Sequence, residues 1–314
     1  MFENFKNKLE ETDYNKFTEY MSKVNGEFIL VNPKENKFKF PYIIYIPNKL
    51  DSTTIILHGN NCALEEGNIL NVYSAIMETS MEAGYPLTDL NQVILVPVTS
   101  NYIHPANNNM HEFFPMQATR NVVFCEDVEN TYYDIFGQVT NMLEDAKELL
   151  KEKYDISLED KVICHGFSSS GKFALRYALF YPEKVSLVIA GGFGAQAIVP
   201  LKKLNNISLP YPIGIADIDF NKEEFKKIHQ LFYMGELENS DNDTALNFRH
   251  SDKEIRDTYL DVFGENIWDR YNDQKTIYEE LDYPNISFRK YKGYGHSAVP
   301  AQRETTSLIK KYRA

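Results

Sequence analysis

Cysteine is scarce in this chain. Three occur in 314 residues, at positions 62, 125 and 164. An odd, sparse set builds no disulfide framework, and no Cys-x-x-Cys pair offers metal-ligand spacing. Cys164 falls in a short apolar run and reads as a core thiol rather than a reactive one. Basic side chains are outnumbered as well. The 33 Lys and Arg against 45 Asp and Glu leave a formal charge of −12. That balance repels nucleic acid and anionic membrane surfaces alike. No stretch is long and apolar enough to span a bilayer. The first residues hold no apolar signal-peptide core, so the expected setting is cytoplasmic. No His, Asp and Glu cluster has metal-ligand spacing, and neither metal nor cofactor is expected.

Aromatic and apolar mass is abundant by contrast. Twenty Phe and 21 Tyr within a 43% hydrophobic chain can fill a sizeable core. Residues 161–192 organise the rest. The run 162–164 has strand character, three serines lie between Gly166 and Gly171, and 172–181 turns helical with Ala174 and Ala178 on one face. Pro182 stops that helix, and 185–190 forms a second apolar strand. A sharp strand-to-helix turn lifts one hydroxyl above a sheet edge beside a helix N-terminus. Strand and helix pass closely there, so the residues two before and two after that hydroxyl must be small. Ser168, between Gly166 and Ser170, meets this rule. Ser169 would have Phe167 before it, and Ser170 would have Lys172 after it.

Along the chain, 3–24 reads as a surface helix, and 27–31, 38–46 and 53–57 read as strands. A helix is predicted over 64–83 and a strand over 92–98. Residues 99–125 form a long irregular loop, where Phe113 and Phe114 are candidates to line an apolar pocket. The strongest helical pattern covers 128–153. Residues 193–228 are a proline-bearing excursion, and 230–234 is a strand ending at Gly235. An acidic stretch 236–252 precedes two helices over 253–281, a last strand over 286–291 and a closing helix over 301–312. Strands alternating with helices imply an α/β fold, with a mostly parallel sheet covered on both faces. One domain spans 1–314, with 1–35 as an N-terminal extension and 193–228 and 236–282 as candidate cap or lid segments. The turns after Leu57, Cys164 and Tyr291 all leave carboxyl ends of strands, where sites of such sheets form.

A serine hydroxyl needs a base. His296, in the glycine-flanked turn 293–296, follows the last strand and is the candidate. The other histidines lack such a setting: His58 reads as shaping its own turn, and His165 as structural. An acid must hold the imidazole tautomer, and it should follow the strand ending at Gly235, where Glu238, Asp241 and Asp243 all stand. Asp217 and Asp219 come too early. The anionic intermediate needs fixed N–H donors, expected from Ser169 at the helix N-terminus and from Asn60, with Asn61 second, in the turn 58–61.

Gly166-Phe-Ser-x-Ser-Gly171 resembles the nucleophile elbow Gly-x-Ser-x-Gly of α/β-hydrolases, departing from it in Ser170. The order of elements from about residue 40 onward looks like that fold. Residues 92–192 are similar to bacterial esterase-like hydrolases related to polyhydroxybutyrate depolymerases, down to an arginine after the elbow, here Arg176. The resemblance implies a chain order of serine, acid and histidine. It puts the acid about three residues past the glycine, at Glu238. It also implies a serine hydrolase acting on a small-molecule ester through an acyl-enzyme. A peptidase or amidase with the same triad, and a non-catalytic binding protein of this fold, are the competing readings.

Overall fold

A computed structural model of the chain describes residues 5–61, 64–81, 83–103, 111–112, 115–193, 198–239 and 253–313. Cys62, His104, Phe113, Phe114, Asp241, Asp243 and His250 lie outside the described residues, as does the side chain of His111.

Eight strands form the main sheet: β1 (Gly26–Val31), β2 (Tyr42–Pro47), β3 (Ile56–His58), β4 (Ile94–Pro97), β5 (Val162–Phe167), β6 (Val185–Gly191), β7 (His229–Gly235) and β8 (Ile286–Tyr291). Their order across the sheet is β1-β2-β4-β3-β5-β6-β7-β8. β1 and β2 run antiparallel to their neighbours, and every pair from β4 to β8 is parallel. The central strands are buried on both faces, so they read as continuous apolar runs rather than alternating ones. β8 is an edge strand with no fully buried residue.

The helices are α1 (Glu11–Lys23), α2 (Ile69–Met77), α3 (Arg120–Val123), α4 (Ile135–Tyr154), α5 (Ser169–Phe180), α6 (Lys222–Lys227), α7 (Lys253–Phe263), α8 (Ile267–Glu280) and α9 (Gln302–Tyr312). Successive strand residues face opposite sides, and the core divides accordingly. On one side Leu95, Cys164, Val188 and Phe232 pack with α4, α5 and α8 through residues such as Val139, Phe173 and Tyr278. On the other, Ile94, Ile163, Ile189 and Leu231 pack with α1, α2 and α9 through Phe17, Ala75 and Ile309. Each large aliphatic side chain buried this way contributes about 1.5–3 kcal/mol. Cys164 is buried in the same core, and burial pushes its thiol pKa up, as suits a core thiol.

Several bounds differ from the sequence pattern. The helix expected over 64–83 spans only Ile69–Met77, capped by the Asn68 side chain on the Leu70 N–H. That expected over 128–153 begins at Ile135, because Asp134 turns left-handed and caps the Gly137 N–H with its carboxylate. Residues 120–123 of the loop form a helical turn. The segment expected as an N-terminal extension supplies edge strand β1, and Phe5 and Phe17 are buried against each other in an edge-to-face contact.

The two segments expected as cap or lid pack together: Val199, Leu209 and Ile213 share a small apolar cluster with Ile255, Tyr259 and Phe263. α8 is tied directly to the sheet. Its Tyr271 hydroxyl donates to the carbonyls of Phe232 and Arg289, joining the helix to β7 and β8.

Candidate active site

The sharp turn between β5 and α5 follows from residue size. β5 continues to Phe167, paired with Gly191 of β6, and α5 starts at Ser169 rather than 172. Only Ser168 separates them. Its φ of 61° and ψ of −123° are costly for any residue with a Cβ. Backbone bonds hold it there: Ser168 N donates to Gly191 O at 2.8 Å, and Lys172 N donates to Ser168 O at 3.2 Å. A Cβ at Gly166 would overlap the carbonyl of Ser170, and one at Gly171 would sit 2.6 Å from Gly191 O. These obstacles are backbone atoms and cannot rotate away. Gly166→Ala is therefore expected to destabilise the protein by about 3 kcal/mol or more, read as a lower midpoint in urea with unchanged slope.

Ser170, the departure from the glycine pattern, has a specific accommodation. Its Cβ packs against Gly59, where an added Cβ would lie 2.8 Å away. Its hydroxyl accepts from Phe167 N at 2.8 Å and donates to Phe167 O at 2.7 Å, bracing the last residue before the turn. Ser169 is buried and accepts from Gln117 Nε2 at 3.2 Å. Of the three serines, only Ser168 is partly exposed.

The loops after β7 and β8 are joined at Gly235. A Cβ there would overlap the carbonyls of Tyr294 and Gly295. Leu237 N donates to Tyr294 O at 2.7 Å, and Gly293 N donates to Glu236 Oε2 at 3.0 Å. The paired loops bring Glu238 Oε2 to 2.5 Å from His296 Nδ1. The Glu238 side chain is fully buried, while a third of His296 remains exposed. The imidazole packs on Phe167, ring centroids 4.6 Å apart, beside Gly192. His296 thus leans on the residue preceding Ser168, at the same edge of the sheet.

The turn after β3 arrives from the other side. Gly59 N donates to His165 O at 3.2 Å. The buried Asn60 side chain donates to Pro97 O and accepts from Thr99 Oγ1 at 2.8 Å, which fixes its backbone beside the elbow. Asn61, the second candidate donor, has its N–H engaged by Glu78 Oε1 at 2.9 Å. That leaves Asn60 as the candidate donor of this turn.

Other sequence candidates fall into structural roles. His58 and His165 are fully buried beneath the turn, 3.0 Å apart at their Nδ1 atoms, with Tyr85 tilted against the first ring and edge-on to the second. Desolvation lowers both pKa values, that of His58 to about 4. Asp217 pairs with Arg120 and accepts from Tyr211 N at 2.8 Å, tying the aromatic loop to the excursion. His229 stacks on Tyr312 at the start of β7, away from the strand ends that carry the site. Among the described residues, no group of three or more His, Cys, Asp or Glu could hold a metal ion, and no helix is long and apolar enough to cross a membrane.

Sequence reasoning missed Gln117 and Glu78. Gln117 sits in a single turn (Pro115–Gln117), with its carbonyl accepting from the buried Arg176 guanidinium. Nothing in its sequence neighbourhood marks it. Glu78 had a faint signal: a carboxylate at the C-terminal end of an otherwise uncharged helix opposes the helix dipole.

Neither a protein-family model nor a curated relative matches this chain's sequence. Solved structures do match in fold. Poly(aspartic acid) hydrolase-1 from Sphingomonas sp. KT-1 superposes with a TM-score of 0.57 at 17% identity, covering 91% of this chain and 98% of the other. A poly(3-hydroxybutyrate) depolymerase from Bordetella parapertussis gives 0.56 at 10% identity, covering 97% and 96%. An S-formylglutathione hydrolase from Agrobacterium tumefaciens gives 0.50 at 14%, covering 93% and 97%. The chain has the α/β-hydrolase fold, as the resemblance of its elbow implied.

Proposed function

We propose that this protein is a serine hydrolase that cleaves carboxylic esters of small molecules through an acyl-enzyme. Ser168 is the nucleophile, His296 the general base and acid, and Glu238 the buried partner of the imidazole. The observation that carries the reading is the Glu238–His296 contact, packed on Phe167 immediately before the left-handed Ser168.

In the first half-reaction Ser168 Oγ bonds to the acyl carbon and its proton passes to His296 Nε2. The carbonyl electron pair moves onto oxygen, where the N–H groups of Ser169 and Asn60 hold the charge. Collapse of the intermediate breaks the bond to the alcohol oxygen, which takes the proton from His296. Water then repeats the sequence on the acyl-enzyme, releasing the carboxylic acid and restoring Ser168. Glu238 keeps the Nδ1 proton in place and balances the transient imidazolium.

A fluorophosphonate probe tests the assignment directly. The native protein is expected to label stoichiometrically, with the modified peptide mapping to Ser168. Absence of labelling would favour a non-catalytic binding protein of the same fold.

A further inference from the structure

We propose that Glu78 is a positioning residue for the anion-holding turn, orienting the 60–61 backbone through the Asn61 N–H. The inference rests on the hydrolytic reading above and deepens it.

Glu78 is the residue that ends α2, and 13% of its side chain is exposed. Oε1 accepts the Asn61 N–H at 2.9 Å, and Oε2 lies 3.4 Å from Asn61 Nδ2. Asn61 in turn accepts the Ser170 N–H on Oδ1 at 3.0 Å. Ser170 braces both backbone groups of Phe167, and Ser168 follows. One continuous chain of hydrogen bonds therefore runs from Glu78 through the turn after β3 to the nucleophile elbow. It sets the two halves of the proposed anion site relative to each other. It also engages the Asn61 N–H, the second candidate donor of this turn, on the Glu78 carboxyl.

A carboxylate so close would oppose the negative charge that develops on the substrate oxygen. The surroundings work against ionisation. His58 of β3 and Tyr85 face Glu78, with His165 of β5 packed against both of those rings and Tyr233 of β7 coupled to Tyr85. None of the four is a cation near neutral pH: burial lowers both histidines and raises both tyrosines. His58 Nδ1 lies 3.1 Å from His165 O and 3.0 Å from His165 Nδ1, and its Nε2 faces Glu78 Oε2 at 3.7 Å. Among the described residues that Nε2 has no hydrogen-bond partner, and a proton on Oε2 would face it. Desolvation raises the Glu78 pKa from 4.5 to about 8, against the opposing pull of the Asn61 donors. The residue is then a neutral acceptor at pH 7. Its folded-state pKa exceeds the unfolded one, so its contribution to stability is complete below about pH 4.5 and is lost as pH rises through about 8.

Three variants assayed on a p-nitrophenyl acyl ester test the role. Glu78→Leu removes the acceptor and is expected to lower kcat about 10- to 100-fold, somewhat less than deleting an oxyanion donor outright, with KM within about threefold because ground-state binding does not use it. Glu78→Gln keeps an oxygen for the Asn61 N–H and cannot ionise. It is expected to restore kcat at pH 7 and to lack the decline expected of the parent above about pH 8. A parental kcat in Glu78→Leu, or a parental alkaline decline in Glu78→Gln, would overturn the proposal. The glutamine variant decides the matter even if the leucine variant fails to fold. Ser168→Ala separates the two levels. If it still turns over ester, the hydrolytic reading itself falls; if it is inactive while Glu78→Leu is normal, only the role of Glu78 falls.

Discussion

Replacing Ser168 by alanine is expected to lower kcat on a p-nitrophenyl acyl ester by about five to six orders of magnitude, the loss seen when a triad nucleophile is removed. What remains reflects the backbone donors and substrate binding alone. Folding should survive, because the turn is held by backbone bonds to Gly191 and Lys172 rather than by the hydroxyl. Alanine keeps the Cβ, and with it the strain of a positive φ. Ser168→Gly removes both, and is expected to be equally inactive yet more stable than Ser168→Ala by about 1 kcal/mol. Thermal midpoints of the two variants measure the strain stored at the turn independently of catalysis. A Ser168→Ala protein with parental kcat would reject the nucleophile.

The second large effect is expected at Glu238. Glu238→Gln keeps the shape but lets the imidazole settle in the wrong tautomer, which costs about 10⁴-fold in kcat where it has been measured in triads. The carboxylate is fully buried at 2.5 Å from His296 Nδ1, so water cannot replace it. Asp241→Asn and Asp243→Asn are expected to leave kcat within a few-fold. If either matched the loss in Glu238→Gln, the acid would be reassigned. Steady-state kinetics on the three variants, with circular dichroism to check folding, settles the order among them.

Much of this architecture was legible in the chain. Buried parallel strands are continuous apolar runs, and 92–98, 162–164, 185–190 and 230–234 all mark strands that form. The choice of Ser168 came from a volume argument, and the carbonyl of Ser170 beside Gly166 is its physical basis. The Glu238–His296 contact was approachable because both residues follow strand ends that the fold brings side by side. Less legible was whatever depends on long-range packing. Glu78 is seventeen residues from Asn61 and meets it only once α2 lies on the sheet. Gln117 reaches Ser169 across 52 residues and is placed by a buried arginine. Helix ends were misjudged where one side chain decides them, as Asp134 does by capping Gly137.

The proposed base is carried by the loop after β8, an outermost strand paired only with β7 and lacking a fully buried residue. The proposed nucleophile sits beyond β5, in the middle of the sheet. Local opening at the rim costs less than global melting. Fraying of β8 would therefore carry the imidazole off while the serine turn stayed intact. The proposed hydroxyl thus stands on a central buried strand and the proposed proton carrier on a rim strand, so warming is expected to silence the site before the molecule comes apart.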